Sequence, residues 1–459
     1  MANFVVTTDY TFRQVPPPAL PQATINYSQA YQDQFNNVLR IYFNRLNAVL
    51  GQLMATDTPI PISFPPTALD AFGRQRVSQP YTLFDSQNRY AADNQFDVAT
   101  TGTGTTTFLS NEAAVKMEVT GAGVGSVIRQ SYRSFPYQPG KGLLVLATFV
   151  MDSSQSLNLT QRVGYYNDQN GVFFQRVDGT YSFVLRSYVT GSVSNARTVD
   201  QSSWNGDKLD GTGASGYTLD PSKAQILWMD FEWLGVGSVR CGFIINGEYI
   251  VCHTFNNANE ITNVYMTTAI LPVRYEISTV TSAVAASMKS ICCSVISEGG
   301  FEQTSIDHVA RRTAVLGTIG STFLPLVSIR LASGRTGAVV LPNRVQVLPT
   351  TSQNYEVALI KNPTLTGASW SAVPTDSNVE FDVAATATTG GSIVQTDYVT
   401  ASGSAGVSNT SLPSAYNFDL QLGASIAGTS DIYTVAIRTV SGATTGDAVG
   451  SLSFYDLTQ

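Results

Sequence analysis

Between Tyr27 and Met54, the residues Tyr31, Phe35, Val38, Leu39, Tyr42, Leu46, Val49, Leu50 and Leu53 recur at steps of three and four. That spacing draws one continuous apolar stripe along a single helix about 40 Å long. The rest of the 459-residue chain carries only short apolar runs of strand length. A lone amphipathic helix attached to a β-protein must bury its stripe, either on its own sheets or against copies of itself. Pro16, Pro17, Pro18 and Pro21 in front, and Pro59, Pro61, Pro65 and Pro66 behind, hold both flanks extended and favour the second course. The expected seam is Tyr31, Phe35, Val38, Tyr42, Leu46, Val49 and Leu53. Tyr31, Phe35 and Tyr42 are bulky for a two-chain seam, so a homotrimer is expected. Ser28 is placed to cap the helix and Asp33 to favour its early turns. Residues 1–66 therefore read as an extended arm, the helix (27–54) and a Pro-rich spacer. The arm has too few apolar residues to fold alone and is expected to order against a partner, through Phe12, Pro16, Pro17, Pro18 and Leu20.

Charge excludes some classes of function. Charged residues make up 13% of the chain and the net charge is −7, with Arg311-Arg312 the densest basic cluster. No cationic stripe exists to displace counterions, so no nucleic-acid partner is expected. No run of about 18 apolar residues occurs, so no membrane insertion is expected. No basic segment followed by an apolar one opens the chain, and no signal peptide is expected. Polarity comes from Ser, Thr, Asn, Gln and Gly, as in many oligomeric β-rich assemblies.

Residues 67–300 have the cadence of an antiparallel β-sandwich or jelly roll, with short apolar runs divided by Asn170-Gly171, Asp178-Gly179 and Asn246-Gly247. Leu143–Val150 and Ile226–Trp233 add two long strands with few charges. If Asn246-Gly247 is a two-residue turn, Cys241 faces Cys252 across the hairpin. Two reduced, buried thiols are the expected state, with a cross-strand disulfide as the alternative. Adjacent Cys292 and Cys293 point to opposite faces, which argues against a zinc site built from the four cysteines. Free thiols imply assembly in a reducing cytoplasm. Residues 301–322 read as a linker with a short helix at Ser305–Val315. Residues 323–459 read as a second sandwich, with strands including Leu324–Leu331, Ala338–Leu341, Val345–Leu348, Tyr355–Lys361, Phe418–Leu422 and Ile432–Val440. The fold class expected is mainly β.

Candidate chemistry is sparse. His253 and His308 are the two histidines, so a Ser-His-Asp triad must use one of them. His253 is expected at a surface or interdomain position, and His308 in the linker. Gly211-Thr212-Gly213-Ala214-Ser215-Gly216 matches a dinucleotide-binding pattern, but loop sequence lies on both sides where a strand and a helix are needed. The stretch Ser202–Lys223 is expected to be a long exposed loop. Glycosidase chemistry needs two carboxylates about 5–10 Å apart. Asp230 and Glu232 share one strand face, with Glu248 and Asp178 near by. Asp207, Asp210 and Asp220 form a conceivable calcium set whose spacing fits no EF-hand loop. No motif joins any of these into a site, so no catalytic residue, metal or cofactor is expected and the chain is expected not to be an enzyme. The ligand-binding residues stay open, because tyrosines such as Tyr132, Tyr137, Tyr165, Tyr166, Tyr181 and Tyr188 suit sugar surfaces and sandwich cores alike.

The stretch Ile226–Phe255 is similar to a concanavalin-like jelly roll: an aromatic strand (Phe231, Trp233), a turn with Gly235 and Gly237, a strand, a tight Asn-Gly turn and its partner. Three longer blocks resemble virion structural proteins of tailed phages, especially marine cyanophages. They are Asn37-Val38-Leu39-Arg40-Ile41-Tyr42-Phe43-Asn44-Arg45-Leu46-Asn47, with Leu20-Pro21 and Tyr27-Ser28 before it; Asp70-Ala71-Phe72-Gly73-Arg74-Gln75-Arg76-Val77-Ser78, with Thr82–Gln87 after it; and Leu271-Pro272-Val273-Arg274-Tyr275-Glu276-Ile277. The resemblance covers roughly residues 15–300. It implies membership of the virus particle; with the helix and arm, the expected protein is a fibre or decoration appendage made in the host cytoplasm and bound to other capsid or tail proteins. Host attachment through a surface glycan fits the same picture. The alternative is a carbohydrate-binding adhesin or a polysaccharide depolymerase.

Overall fold

Ser28 starts the helix as its chemistry suggests: its Oγ accepts the Tyr31 N–H at 3.4 Å, and the helix runs Gln29–Met54. The computed structural model describes Leu20, residues 28–54 (side chains as far as Leu46) and residues 69–458, except 71–73, 75–78, 122, 153–156, 281–284, 303, 375, 402–407, 412–417 and 441–445. Tyr31, Phe35, Val38, Leu39, Tyr42 and Leu46 are half-buried along one side of the helix. Ile41 is 44% exposed and Phe43 55%. Val49 and Leu53 lie on the helix with side chains outside the described residues. Phe12, Pro16, Pro17 and Pro18 are also outside them, and Leu20 is exposed. The chain divides into two units, Met1–Pro66 and Thr67–Gln459.

The second unit is built of antiparallel sheets. One sheet runs, in spatial order, Glu248–Phe255, Val239–Ile245, Gln225–Phe231, Leu143–Val150, Ala286–Ser297, Ala114–Val119 and Gly104–Leu109, with Tyr81–Gln87 also pairing to Ala286–Ser297. The facing sheet runs Ser194–Asp200, Thr180–Ser187, Gly171–Val177, Leu159–Tyr166, Val273–Thr279, Gly125–Ser131 and Phe96–Gly102. Strands distant in sequence lie side by side, as a jelly roll requires. Alternation sends Val145, Ala147, Phe149, Leu227, Met229 and Phe231 inward from the first sheet, and Val163, Tyr165, Phe174, Phe183, Tyr275 and Ile277 from the second. Each such large side chain stabilises the fold by roughly 1.5–3 kcal/mol. The expected mainly β, jelly-roll class is what the molecule has.

Asn246 and Gly247 take φ of 53° and 84°, the geometry of a type I′ hairpin turn. From that turn Ile245 pairs with Glu248 and Gly242 with Val251, but the register then slips and Cys241 faces His253. The expected Cys241–Cys252 pairing is thus corrected by one residue. Gly242 explains the slip: a Cβ there would lie 1.8 Å from the Ile250 carbonyl oxygen, which also accepts the Trp228 Nε1–H at 3.3 Å. The strands close in at Gly242, and Cys252 becomes the extra residue of a bulge. Both thiols are buried and free, and burial raises their pKa values.

The C-terminal sandwich pairs a sheet of Asp307–Arg311, Gly446–Asp456, Val340–Pro349 and Ser408–Ser411, plus Leu316–Ile319, with a sheet of Ser371–Ala372, Val379–Asp382, Leu324–Leu331, Ile432–Thr439, Asn354–Lys361 and Ser392–Thr400. The segment 301–322 is therefore not a bare linker. Asp307–Arg311 is a strand on Gly446–Asp456 where a helix over Ser305–Val315 was expected, and Ala310 and Ile319 enter the core. Phe418–Leu420 is a 3₁₀ turn in place of the expected strand. Ala338–Leu341 and Val345–Leu348 fall largely within one strand, Val340–Pro349. The two sandwiches touch: Arg133 donates to the Phe418 carbonyl, Gln421 Nε2 to the Ser134 carbonyl at 2.7 Å, and the Ala424 N–H to the Tyr132 carbonyl at 2.8 Å.

Candidate functional site

Beyond the end of the Gln225–Phe231 strand the chain turns at Leu234 and Gly235, both at positive φ, and leaves Trp233 at the edge of the sandwich. The Trp233 backbone N–H donates to the Tyr137 hydroxyl at 3.0 Å, and the two rings meet edge to face at 6.0 Å. Burial raises the Tyr137 pKa, so its phenol stays neutral. Phe301 packs against Phe418 and Tyr81 at 5.0 and 5.8 Å. Tyr137, Trp233 and Phe301 line a cleft of about 510 Å³. Thr267, Thr268, Thr304, Thr458, Gln138 and Lys141 also line it; the Thr267, Thr268 and Thr458 hydroxyls bond to Asn170, Ile270 and Asp456, and Gln138 bonds to Lys141 and Glu302. The indole Nε1–H of Trp233 is buried and has no hydrogen-bond partner among the described residues, a cost of about 1–3 kcal/mol to the fold.

Aromatic side chains bordered by small polar ones suit a polyhydroxylated ligand, whose C–H face stacks on a ring. Among the described residues, Glu302 is the one carboxylate lining the cleft, and its side chain is 78% exposed. A glycosidase needs two.

The carboxylates singled out from sequence do not form a pair. Asp230 is fully buried and ion-paired with Arg240, which also donates to the Leu69 carbonyl. Asp70 and Arg74, bonded to each other at 2.7 Å, belong to the segment beside it: a Cβ on Gly142 would lie 3.3 Å from Asp70 and 3.7 Å from the Asp230 carboxylate. Glu232 lies past the strand end and caps its own turn, accepting the Ser238 N–H at 3.2 Å. Asp178 takes the Asn158 N–H at 2.6 Å, and Glu248 is exposed beside the hairpin turn.

His253, expected at a surface or interdomain position, is 7% exposed. Its Nδ1 accepts the Asn205 N–H at 3.3 Å, which puts the proton on Nε2 and denies a serine the lone pair it would need. Burial, then nearby Arg197, lowers its pKa to about 4. His308 stacks on Phe454 at 5.7 Å within the second sandwich.

The Ser202–Lys223 stretch is a long connection, but Trp204, Leu209 and Leu219 pin it into the core. Its aspartates are engaged internally. Asp207 takes the Leu209 and Ser215 N–H groups at 2.9 and 2.7 Å, and Asp210 and Asp220 take Thr212 and Ser222. For Asp207 burial pushes the pKa up, but these donors outweigh it and hold the carboxyl below its usual range. Among the described residues, no group of His, Cys, Asp and Glu is placed to hold a metal ion.

No protein-family model and no curated protein matches the chain. Solved structures do match. The Emp47p carbohydrate recognition domain is 8% identical with a TM-score of 0.30, covering 48% of this chain and 98% of that one. Peanut lectin with a 9mer peptide is 11% identical at 0.27, covering 48% and 98%. The CBM2 module of the evolved Dit of Lactobacillus casei BL23 phage J-1 is 4% identical at 0.31, covering 48% and 97%. These neighbours are lectin-type jelly rolls. At such identities and scores the likeness carries nothing about ligand or reaction.

Proposed function

We propose that the chain is a non-catalytic carbohydrate-binding protein and that the Tyr137–Trp233–Phe301 cleft takes the sugar. The observation that carries this is a cleft of about 510 Å³ walled by Tyr137, Trp233 and Phe301 and bordered by threonines. A screen of the intact protein against neutral oligosaccharides tests it. Binding that Trp233→Ala weakens by at least about tenfold is expected. Binding unaffected by that change, or release of reducing sugar during incubation, would overturn the reading.

A second reading concerns assembly. One observation favours a homotrimeric virion appendage carried by residues 1–66: the stripe Tyr31, Phe35, Val38, Tyr42 and Leu46 is only half-buried in a single chain. Three copies meeting on that stripe would remove it from water. Deleting residues 1–26 should then leave folded protein that no longer joins particles, and normal incorporation would contradict it.

A further inference from the structure

The sheet that contains Leu159–Tyr166 has a second aromatic layer on the face turned away from the main core. Tyr165, Phe174 and Phe183 point into the core, while their neighbours Tyr166, Phe173 and Val184 form a separate, fully buried cluster. Arginines roof it. The Arg162 and Arg186 guanidinium groups sit 5.5 and 5.0 Å from the Phe173 ring centre, and Arg186 and Arg274 sit 5.6 and 5.3 Å from that of Tyr166.

The charges in this roof do not balance. Arg162 pairs with Glu276 at 2.9 Å. Arg274 pairs with the same Glu276 at 3.1 Å and with Asp168 at 2.6 Å. Arg186 makes no ion pair among the described residues: its Nε donates to Asn195 Oδ1 at 3.0 Å and its Nη1 to the Asn167 carbonyl at 3.1 Å. Arg162 and Arg186 thus share one aromatic ring, and each has an Nη2 that makes no hydrogen bond within the described residues. Arg186 is 7% exposed. Burial, then the charge of Arg162, disfavours its protonated form, and the Glu276 carboxylate, already shared by Arg162 and Arg274, offsets only part of this. Three guanidinium groups share the two carboxylates Glu276 and Asp168, so the roof carries one excess positive charge and two open Nη2 groups that an anion can bridge.

We infer that Arg162 and Arg186 clamp an anionic group, carboxylate or sulfate, of an acidic glycan. This rests on the carbohydrate reading of the aromatic cleft. The turn at residues 167–170 joins the two places: Asn167 accepts from Arg186, while Asn170 Nδ2 donates to the Oγ1 of Thr267, a cleft-wall residue, at 2.7 Å. One excess cation cannot track a nucleic-acid backbone on a chain of net charge −7.

Titration calorimetry on the full chain tests this with three probes: uronate oligosaccharides, the same oligomers after carboxyl reduction, and sulfated oligosaccharides. The acidic form should bind about tenfold or more tightly than its reduced counterpart, with the advantage shrinking as salt rises. Which acidic probe shows the advantage distinguishes carboxylate from sulfate. Arg186→Gln and Arg162→Gln should abolish the advantage while leaving affinity for the reduced oligomer unchanged. Equal affinity for charged and reduced oligomers in the wild type overturns the arginine site, as does an advantage that survives both substitutions. An absent advantage in the wild type overturns the arginine site whether or not the variants fold. Failure of every oligomer to bind defeats the carbohydrate reading itself, a different outcome from neutral binding without acid preference.

Discussion

Trp233 shows how one residue defines the candidate site. Its ring was legible in the sequence as part of a jelly-roll strand pattern, but its role was not. Strand alternation sorts residues to faces, and Trp233 lies two residues past the end of its strand, where alternation no longer applies. Tyr137 was likewise one tyrosine among several until its hydroxyl was found under the Trp233 N–H. His253 gives a prediction in pH. Its folded pKa of about 4 lies below the unfolded value of about 6.5, so the unfolded chain takes the proton first. Its contribution to stability is full above about pH 6.5 and falls as pH drops towards 4, by about 1–3 kcal/mol. Denaturant midpoints across that window should show the fall, and His253→Gln should flatten it.

The hairpin ending in Phe255 carries two predictions at the level of the element. Gly242→Ala forces a Cβ into the Ile250 carbonyl and should cost about 2–4 kcal/mol by urea unfolding. Gly247→Ala meets open space and strains only the backbone at φ 84°, for about 1 kcal/mol. If the two cost the same, the close approach at Gly242 is not what sets the bulge. Cysteine labelling checks the same element from outside. Cys292 alone is exposed, so native protein should react at one thiol and unfolded protein at all four. The turns at Asp178-Gly179 and Asn246-Gly247 were readable because only a few residue types tolerate positive φ at both positions. Asp307–Arg311 was not, since Ala310 is its single buried side chain and its pairing with Gly446–Asp456 runs through the backbone. Gly446–Asp456 was hidden because Gly446, Ala448 and Gly450 alternate inward without the bulk that marks a strand.

At the scale of the whole molecule, the helix and the sandwiches make separable predictions. The unit Thr67–Gln459 holds its own cores, so it should stay folded and soluble without residues 1–66. Light scattering should find the full chain trimeric at micromolar concentration and the truncated one monomeric. Replacing Val38, Leu46 and Val49 by Asp should dissociate the full chain, because buried charge without a partner is costly; a monomeric wild type would end the seam model. The helix was legible from its period alone, whereas the cleft assembled from Tyr137, Trp233, Phe301 and Leu457 draws on segments no local pattern connects. Glycan binding through that cleft is the claim on which the functional account turns. The most direct measurement is calorimetric titration of the intact protein and its Trp233→Ala variant with an oligosaccharide that the wild type binds. The account predicts saturable binding that the substitution weakens at least about tenfold with the fold unchanged; equal affinities for the two proteins would contradict it.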